Sequence, residues 1–194
     1  MALEFQAPGW QQHVMDWYDP HRTLEPLLQE IAIVDQALDA LVRGRVLPHK
    51  QYDLDKMLAH RQAVRERFDI PWTAITPRMQ RLLYAINAIA QPQTVIAVGI
   101  FCGNTFISNA GAAIGPGACY RAKHVVGLEI RTDVAERARR NVVTLADPRH
   151  DQIAEDGFTT DKGTLVQVLG ADGLPYLRDY TGPIDLLYLD ADGP

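Results

Sequence analysis

The chain has 194 residues, of which 47% are hydrophobic and 22% charged, and its 19 Lys and Arg against 24 Asp and Glu give a net charge of -5. This balance is typical of a globular protein and excludes a disordered, collagen-like or coiled-coil chain, while the lack of any run of about 18 apolar residues excludes a membrane span. The negative charge disfavours nucleic acid as a partner, and two cysteines with no secretory-signal pattern predict a cytoplasmic protein.

The first 91 residues are predicted to be helical. Apolar residues recur at spacings of three and four over 24–42, which predicts an amphipathic helix with Thr23 as N-cap and Gly44 as its stop. A second helix is predicted over 54–68, and a third begins at Thr76-Pro77, a capping residue followed by a first-turn proline. Core packing is the simplest explanation of all three apolar stripes.

From Thr94 onward, short apolar runs alternate with helical segments. Strands are predicted over 95–98, 125–128, 165–169 and 184–189, and a helix over 133–145. Strands that alternate with helices form βαβ units, so residues 92–194 are predicted to form an α/β core, a Rossmann-like doubly wound parallel sheet. The polar stretch 147–163 is predicted to be an exposed loop.

The fourth predicted strand lies just before Pro194, although a doubly wound sheet has two halves. We therefore expect either that the chain is a fragment, truncated within its core, or that a partner completes the sheet, as a second copy would in a homodimer. An uncovered edge strand is otherwise prone to pair with another chain.

Candidate binding residues follow the first two strands, because ligands of open α/β sheets bind beyond the carboxyl ends of the strands. Gly99 and Gly103 flank a turn that allows close approach of the backbone to a ligand, although a turn without a ligand would have the same pattern. Glu129 follows the second strand, where a carboxylate can accept both hydroxyls of a ribose or simply cap the next helix.

Carboxylates also follow the third and fourth strands. Asp172 is placed either to recognise an adenine amino group or to cap a helix. Asp190 and Asp192 suit a hard cation or a substrate hydroxyl, whereas Asp192-Gly193 is also typical of an ordinary turn.

Five segments in a fixed order carry a family resemblance: ITPRMQRLL, VIAVGIFCGNTF, VVGLEI, LGADGLPYL and IDLLYLDADGP. Over 75–194 the chain resembles the class I methyltransferases that use S-adenosylmethionine, and more narrowly the small O-methyltransferases related to catechol and caffeoyl-CoA O-methyltransferases. The resemblance implies methylation of a hydroxyl on a small-molecule acceptor, such as a phenol or catechol. It also implies that the helices of 1–91 form a lid and the substrate wall.

The resemblance further implies roles for individual residues. Gly99 and Gly103 would line the methionine end of the cofactor, Glu129 would hold the ribose and Asp172 would lie near the adenine. Asp190 would face the acceptor as the catalytic residue and bind Mg2+ or another divalent cation. The full implied set of cofactor-binding residues is Gly99, Ile100, Phe101, Gly103, Asn104, Thr105, Glu129, Ile130, Ala171, Asp172 and Asp190.

The chain departs from the family pattern at two positions. Many relatives have an acid where Ala97 stands, and metal-dependent relatives have a lysine, a candidate base, where Gly193 stands. The general base is therefore open, and a non-catalytic adenosyl-binding module or an inactive methyltransferase fragment remains an alternative. A nicotinamide-dependent oxidoreductase is disfavoured because the GxGxxG fingerprint is absent at Gly99.

Overall fold

The computed structural model describes residues 26–71, 75–146 and 157–190. Its helices are α1 (Leu27–Arg43), α2 (Leu54–Arg67), α3 (Pro77–Ala90), α4 (Asn104–Ala110), α5 (Thr132–Ala146) and α6 (Gly173–Asp179), and its strands are β1 (Thr94–Val98), β2 (His124–Glu129), β3 (Phe158–Thr159), β4 (Leu165–Gly170) and β5 (Leu186–Leu189). The predicted cap Thr23 and the pair Asp192-Gly193 lie outside the described residues. Within the described ranges, no helix combines the length and apolar character needed to cross a bilayer.

The strands form a five-stranded sheet in the order β3-β4-β2-β1-β5. Strands β4, β2, β1 and β5 are parallel to one another, and only β3 runs antiparallel, along β4. From β1 the chain moves outward to β2 and β4 and then returns to the other side of β1. The strand order therefore reverses between β1 and β5, and the predicted doubly wound α/β fold is confirmed.

The prediction of a loop over 147–163 is wrong for residues 158–159, which form the edge strand β3. Phe158 pairs with Val166 and Thr159 with Leu165 across a tight hairpin. A hydrogen bond from the Thr164 amide to the Thr160 hydroxyl (3.1 Å) closes this hairpin. A two-residue strand shows no alternation in the sequence, so only pairing with β4 reveals it.

The fourth predicted strand is shorter than the sequence suggests. It begins at Leu186 rather than at residue 184. Asp185 accepts hydrogen bonds from the backbone amides of Gln93 (2.9 Å) and Thr94 (2.8 Å), so it ties the start of β1 to the turn before β5.

Both faces of the sheet are covered by helices. Val95 and Ala97 belong to a core cluster with α4 and α5, whereas Ile96 and Val98 face the opposite side, where Tyr176 of α6 packs against them. All five residues of β1 are buried, which explains why the strand is a continuous apolar run rather than an alternating one.

Of the three N-terminal helices, α3 packs against α1, α2 and α4, and α2 also packs against α5. Thr76 caps α3 by accepting a hydrogen bond from the Met79 amide (3.3 Å), and α1 ends at Gly44, as predicted. Val34 and Leu38 of α1 share a core cluster with Ala85 of α3. The boundary proposed between 1–91 and 92–194 stays a prediction.

Candidate functional site

Four strand ends meet at one edge of the sheet, at the point where the strand order reverses. The Gly99 amide donates to the Leu128 carbonyl (2.9 Å), the Ala171 amide to the Glu129 carbonyl (3.0 Å) and the Asp190 amide to the Val98 carbonyl (2.9 Å). The backbone segments that follow β1, β2, β4 and β5 are therefore neighbours. This edge is the place where doubly wound sheets bind their ligands.

The turn after β1 has an unusual backbone. Gly99 and Gly103 have φ values of 77° and 90°, and between them Phe101 also lies in the left-handed region, with φ 49°. A hydrogen bond from the Gly103 amide to the Ile100 carbonyl (2.8 Å) closes the turn. Glycine tolerates such values without cost, whereas phenylalanine is strained there, which is a feature often found at functional sites.

Glu129 joins this turn to β2. It is the last residue of β2 rather than the residue after it, and it is half-buried. One carboxylate oxygen accepts a hydrogen bond from the Phe101 amide (2.9 Å), and the other accepts one from the Arg131 amide (3.2 Å). Each oxygen of an ionised carboxylate has about two acceptor positions, so Glu129 can still accept the hydroxyls of a ribose. The structure thus brings the predicted acid and the predicted turn into direct contact.

Asn104, the first residue of α4, adds a polar group to the same turn. Its side chain is only 5% exposed, and its carboxamide oxygen has no hydrogen-bond partner among the described residues. Buried polar atoms are normally paired, so this oxygen is a candidate acceptor for a donor on a ligand. Thr105 follows it and is also buried, whereas Ile130 beside Glu129 is 68% exposed.

Asp172 caps α6, the structural alternative of the two that the sequence left open. Its carboxylate accepts the Leu174 amide (2.9 Å). Asp172 and Ala171 also line a cleft of about 450 Å3, which continues along the Tyr176 and Tyr180 rings, stacked with their centroids 5.9 Å apart. Recognition of adenine by Asp172 stays a prediction.

Asp190 lies at the end of β5, and its side chain is exposed. The neighbouring Tyr188 contacts it: burial, followed by the Asp190 charge and a hydrogen bond to it, raises the pKa of the Tyr188 hydroxyl. In the part of the chain that the structure describes, no three His, Cys, Asp or Glu side chains are grouped so that they could hold a metal ion. A cation at Asp190 is thus a prediction that the described residues do not support.

Asn141 of α5 also contacts this site and is not among the residues predicted from the sequence. Its side-chain NH2 donates to the carbonyl of Cys102 (2.9 Å) within the turn, and the side chain is 4% exposed. A signal was present in the sequence, because Asn141 is a polar residue beside the apolar stripe formed by Ala135, Ala138 and Val142. A polar side chain at such a position has to bind backbone or solvent.

Comparison with known proteins gives structural similarities only. No protein-family model matches the chain, and no curated protein matches it. Among solved structures, it is similar to the SAH-bound methyltransferase PaMTH1 of Podospora anserina, with 15% identity, a TM-score of 0.49, and coverage of 88% of this chain and 61% of that one. It is also similar to the O-methyltransferase from Bacillus cereus in complex with SAH, with 19% identity and a TM-score of 0.45. This match covers 83% of this chain and 61% of that one.

A third similar structure is the O-methyltransferase TomG from Streptomyces achromogenes, involved in tomaymycin synthesis and solved in complex with SAM. Its identity is 23% and its TM-score 0.43, with coverage of 80% of this chain and 60% of that one. The chain therefore spans about three fifths of the length of these structures. Two of these three solved structures are named as O-methyltransferases and the third as a methyltransferase.

Proposed function

We propose that the chain binds S-adenosylmethionine and belongs to a methyltransferase that acts on a hydroxyl of a small-molecule acceptor. One observation carries the proposal: the Glu129 carboxylate contacts the Phe101 amide of the glycine-flanked turn, at the edge where the strand order reverses. Doubly wound sheets hold ribose-containing cofactors by this combination: a turn whose backbone can approach the ligand closely, and an acid beside it. The unpaired carboxamide oxygen of Asn104 adds a second acceptor beside the turn.

The residues at the strand ends bind and position the cofactor. When bound, S-adenosylmethionine supplies a sulfonium methyl group that is transferred by in-line displacement, so the protein contributes mainly position and a dry pocket. The Glu129 carboxylate accepts hydrogen bonds from the ribose hydroxyls, and the carboxamide oxygen of Asn104 accepts a hydrogen bond from a further donor on the ligand. The turn from Gly99 to Gly103 brings its backbone close to the ligand, and Ile130 and Ala171 border the nucleoside.

A phenolic acceptor, with a pKa near 10, is mostly protonated at neutral pH and has to lose a proton to react. We propose that Asp190 faces the acceptor, because it is the exposed carboxylate at the end of β5, next to the turn after β1. A divalent cation held there would lower the pKa of the hydroxyl. With complete enzyme, Asp190→Ala and a chelator should each suppress turnover; if neither does, Asp190 and the cation have no part in the reaction.

The alternative of a non-catalytic adenosyl-binding module rests on Ala97. Where many relatives of the resembled family have an acid, this chain has a fully buried alanine in β1. Binding of S-adenosylmethionine without methyl transfer to any phenol, catechol or other hydroxyl acceptor would favour this alternative. Either way, the nucleoside site is the same.

Calorimetry with S-adenosylhomocysteine tests the site. Glu129→Ala should weaken binding roughly ten- to a hundredfold, because a hydrogen bond to a charged group contributes about 1.5–3 kcal/mol. Asp133→Asn is the matched control, since Asp133 is an exposed acid of the first turn of α5 that pairs with Arg131. The proposal is wrong if the folded wild type does not bind S-adenosylhomocysteine, or binds NAD more tightly.

We propose a homodimer because β5 is an edge strand with exposed apolar side chains. Leu187 and Leu189 are 44% and 63% exposed, on a strand with a neighbour on only one side in the described structure. An apolar edge of this kind favours pairing with another chain. Sedimentation at several concentrations checks it, and a monomer at all of them contradicts it.

A further inference from the structure

Asn141 holds two segments that are distant in sequence, and one of them is the candidate cofactor turn. We propose that Asn141 is a positioning residue: it fixes the turn after β1 in its ligand-ready shape and couples that turn to the segment 68–70, which follows α2. The inference rests on the proposed function, because it assigns the turn to S-adenosylmethionine.

The geometry leaves little freedom to the carboxamide. Its NH2 group donates to the carbonyls of Cys102 (2.9 Å) and Asp69 (3.0 Å), and its oxygen accepts the amide of Asp69 (2.9 Å). Because two neighbours are carbonyls and one is an N–H group, only one of the two amide orientations satisfies all three. Both donor hydrogens are used, and both polar backbone groups of Asp69 are paired by the same side chain.

The turn depends on this contact. Cys102 is 1% exposed, so without Asn141 its carbonyl would be buried and unpaired. The residues on either side of Cys102, Phe101 and Gly103, both have positive φ values, 49° and 90°, and surrounding contacts have to maintain such a conformation. α5 supplies these contacts at close range, since a Cβ on Gly103 would lie 3.4 Å from the backbone of Ala138.

The same side chain reaches the helical layer. Phe68 and Ile70, on either side of Asp69, are buried in the core that also contains the sheet. One turn before Asn141, Arg137 approaches the Asp69 carboxylate at 3.4 Å, in a largely exposed ion pair. Movement of 68–70 would break the two hydrogen bonds to Asp69 that orient the carboxamide whose NH2 group also binds the Cys102 carbonyl.

The test uses backbone amides that Asn141 does not touch. The Phe101 amide is bonded to Glu129 and the Gly103 amide to Ile100, so their hydrogen exchange reports the shape of the turn without any ligand. In Asn141→Asp, a carboxylate of nearly the same size faces two carbonyls. We expect exchange at both amides to rise at least tenfold and binding of S-adenosylhomocysteine to weaken at least tenfold.

Two controls separate positioning from general stability. Val142→Ala removes buried apolar contact from the next residue of α5 and should lower the melting temperature without changing exchange in the turn or the affinity. Arg137→Ala removes the other contact to Asp69 and should leave Phe101 and Gly103 unchanged. If Asn141→Asp does not fold, Asn141→Ala, which introduces no charge, provides the same two readouts.

Wild-type exchange at Phe101 and Gly103 in a folded Asn141 variant would overturn the inference. The inference would also be overturned if Val142→Ala, at the same loss of stability as the Asn141 variant, changed amide exchange in the turn and ligand affinity by as much as that variant does. Failure of the proposed function looks different: the wild type then does not bind S-adenosylhomocysteine, while exchange in the turn still rises in Asn141→Asp and the positioning role stands.

Discussion

His60 is a buried histidine outside the candidate site. It is fully buried, its ring stacks on Tyr84 with centroids 5.6 Å apart, and neither ring nitrogen has a hydrogen-bond partner in the described structure. A Cβ on Gly111 would lie 2.4 Å from the imidazole, so the ring packs directly against the Gly111 backbone. Burial, and secondarily the charge of Arg61, lowers the pKa of His60 from 6.5 to about 4.

We predict that His60 makes the fold sensitive to mild acid. The unfolded chain binds a proton at His60 near pH 6.5 and the folded chain only near pH 4, so stability is lost as the pH falls through this range. The loss is on the order of 3 kcal/mol. Urea unfolding at several pH values should show it in the wild type and much less in His60→Leu.

His49→Gln, at an exposed histidine, is the control for this measurement and should keep the wild-type pH profile. An equally steep loss of stability between pH 6.5 and pH 4 in His60→Leu would contradict the assignment. His60 is one of six histidines in the sequence, none of which has HxxxH or HExxH spacing.

At the scale of helices, a buried ion cluster joins α1, α2 and α3. Glu30 of α1 is 3% exposed; it accepts two hydrogen bonds from Arg61 of α2 (2.7 and 3.0 Å) and one from Arg81 of α3. Burial alone would raise the pKa of the Glu30 carboxyl, but the hydrogen bonds and charges of the two arginines outweigh it, and the net pKa is lowered. Three helices therefore depend on one carboxylate.

Glu30→Gln should reduce the free energy of unfolding by about 3–5 kcal/mol, because it leaves the fully buried Arg81 without a counter-charge. Denaturant titration measures the change. Asp39→Asn is the control, since Asp39 and Lys50 form a pair with side chains 42% and 37% exposed, worth at most about 1 kcal/mol. Equal effects of the two substitutions would show that the cluster does not hold the helices together.

The close packing of α6 against the sheet depends on Gly173. A Cβ on Gly173, the first residue of α6, would lie 2.3 Å from Val98 Cγ1 of β1, whereas one on Gly170 would make only ordinary contacts at 3.6 Å. Gly173→Ala should therefore cost about 1–3 kcal/mol of stability, as overpacked cores do. Gly170→Ala is the matched control, and thermal unfolding of both variants checks the difference.

At the scale of the whole molecule, the candidate site exists only in the folded chain, because four separate strand ends form it. A ligand that binds the folded chain alone stabilises it by mass action. S-adenosylhomocysteine at about 100 times its dissociation constant should therefore raise the unfolding free energy by about 2.7 kcal/mol. NAD at the same concentration should not, and an equal shift with NAD would favour the oxidoreductase alternative.

Much of the fold could be predicted from local pattern. β1 and β2 are each buried on both faces, so their continuous apolar runs are visible in the sequence, and Thr76-Pro77 marks the start of α3 because capping chemistry is local. β3 could not be predicted, since a two-residue strand has no period. Nor could the contacts of Asp185 be predicted, since it accepts hydrogen bonds from amides more than ninety residues away.

For the site, the order of residues alone indicates which residue types lie at the strand ends: a turn with Gly99 and Gly103, then Glu129, Asp172 and Asp190. This much follows from parallel strands, whose carboxyl ends must share one edge of the sheet. The folded structure adds that Glu129 accepts a hydrogen bond from the Phe101 amide, that Asp172 caps α6, and that Asn141 binds both Cys102 and Asp69. Hydrogen bonds act over about 3 Å whatever the separation in sequence, so these partners are set by how helices and strands pack and not by the order of residues.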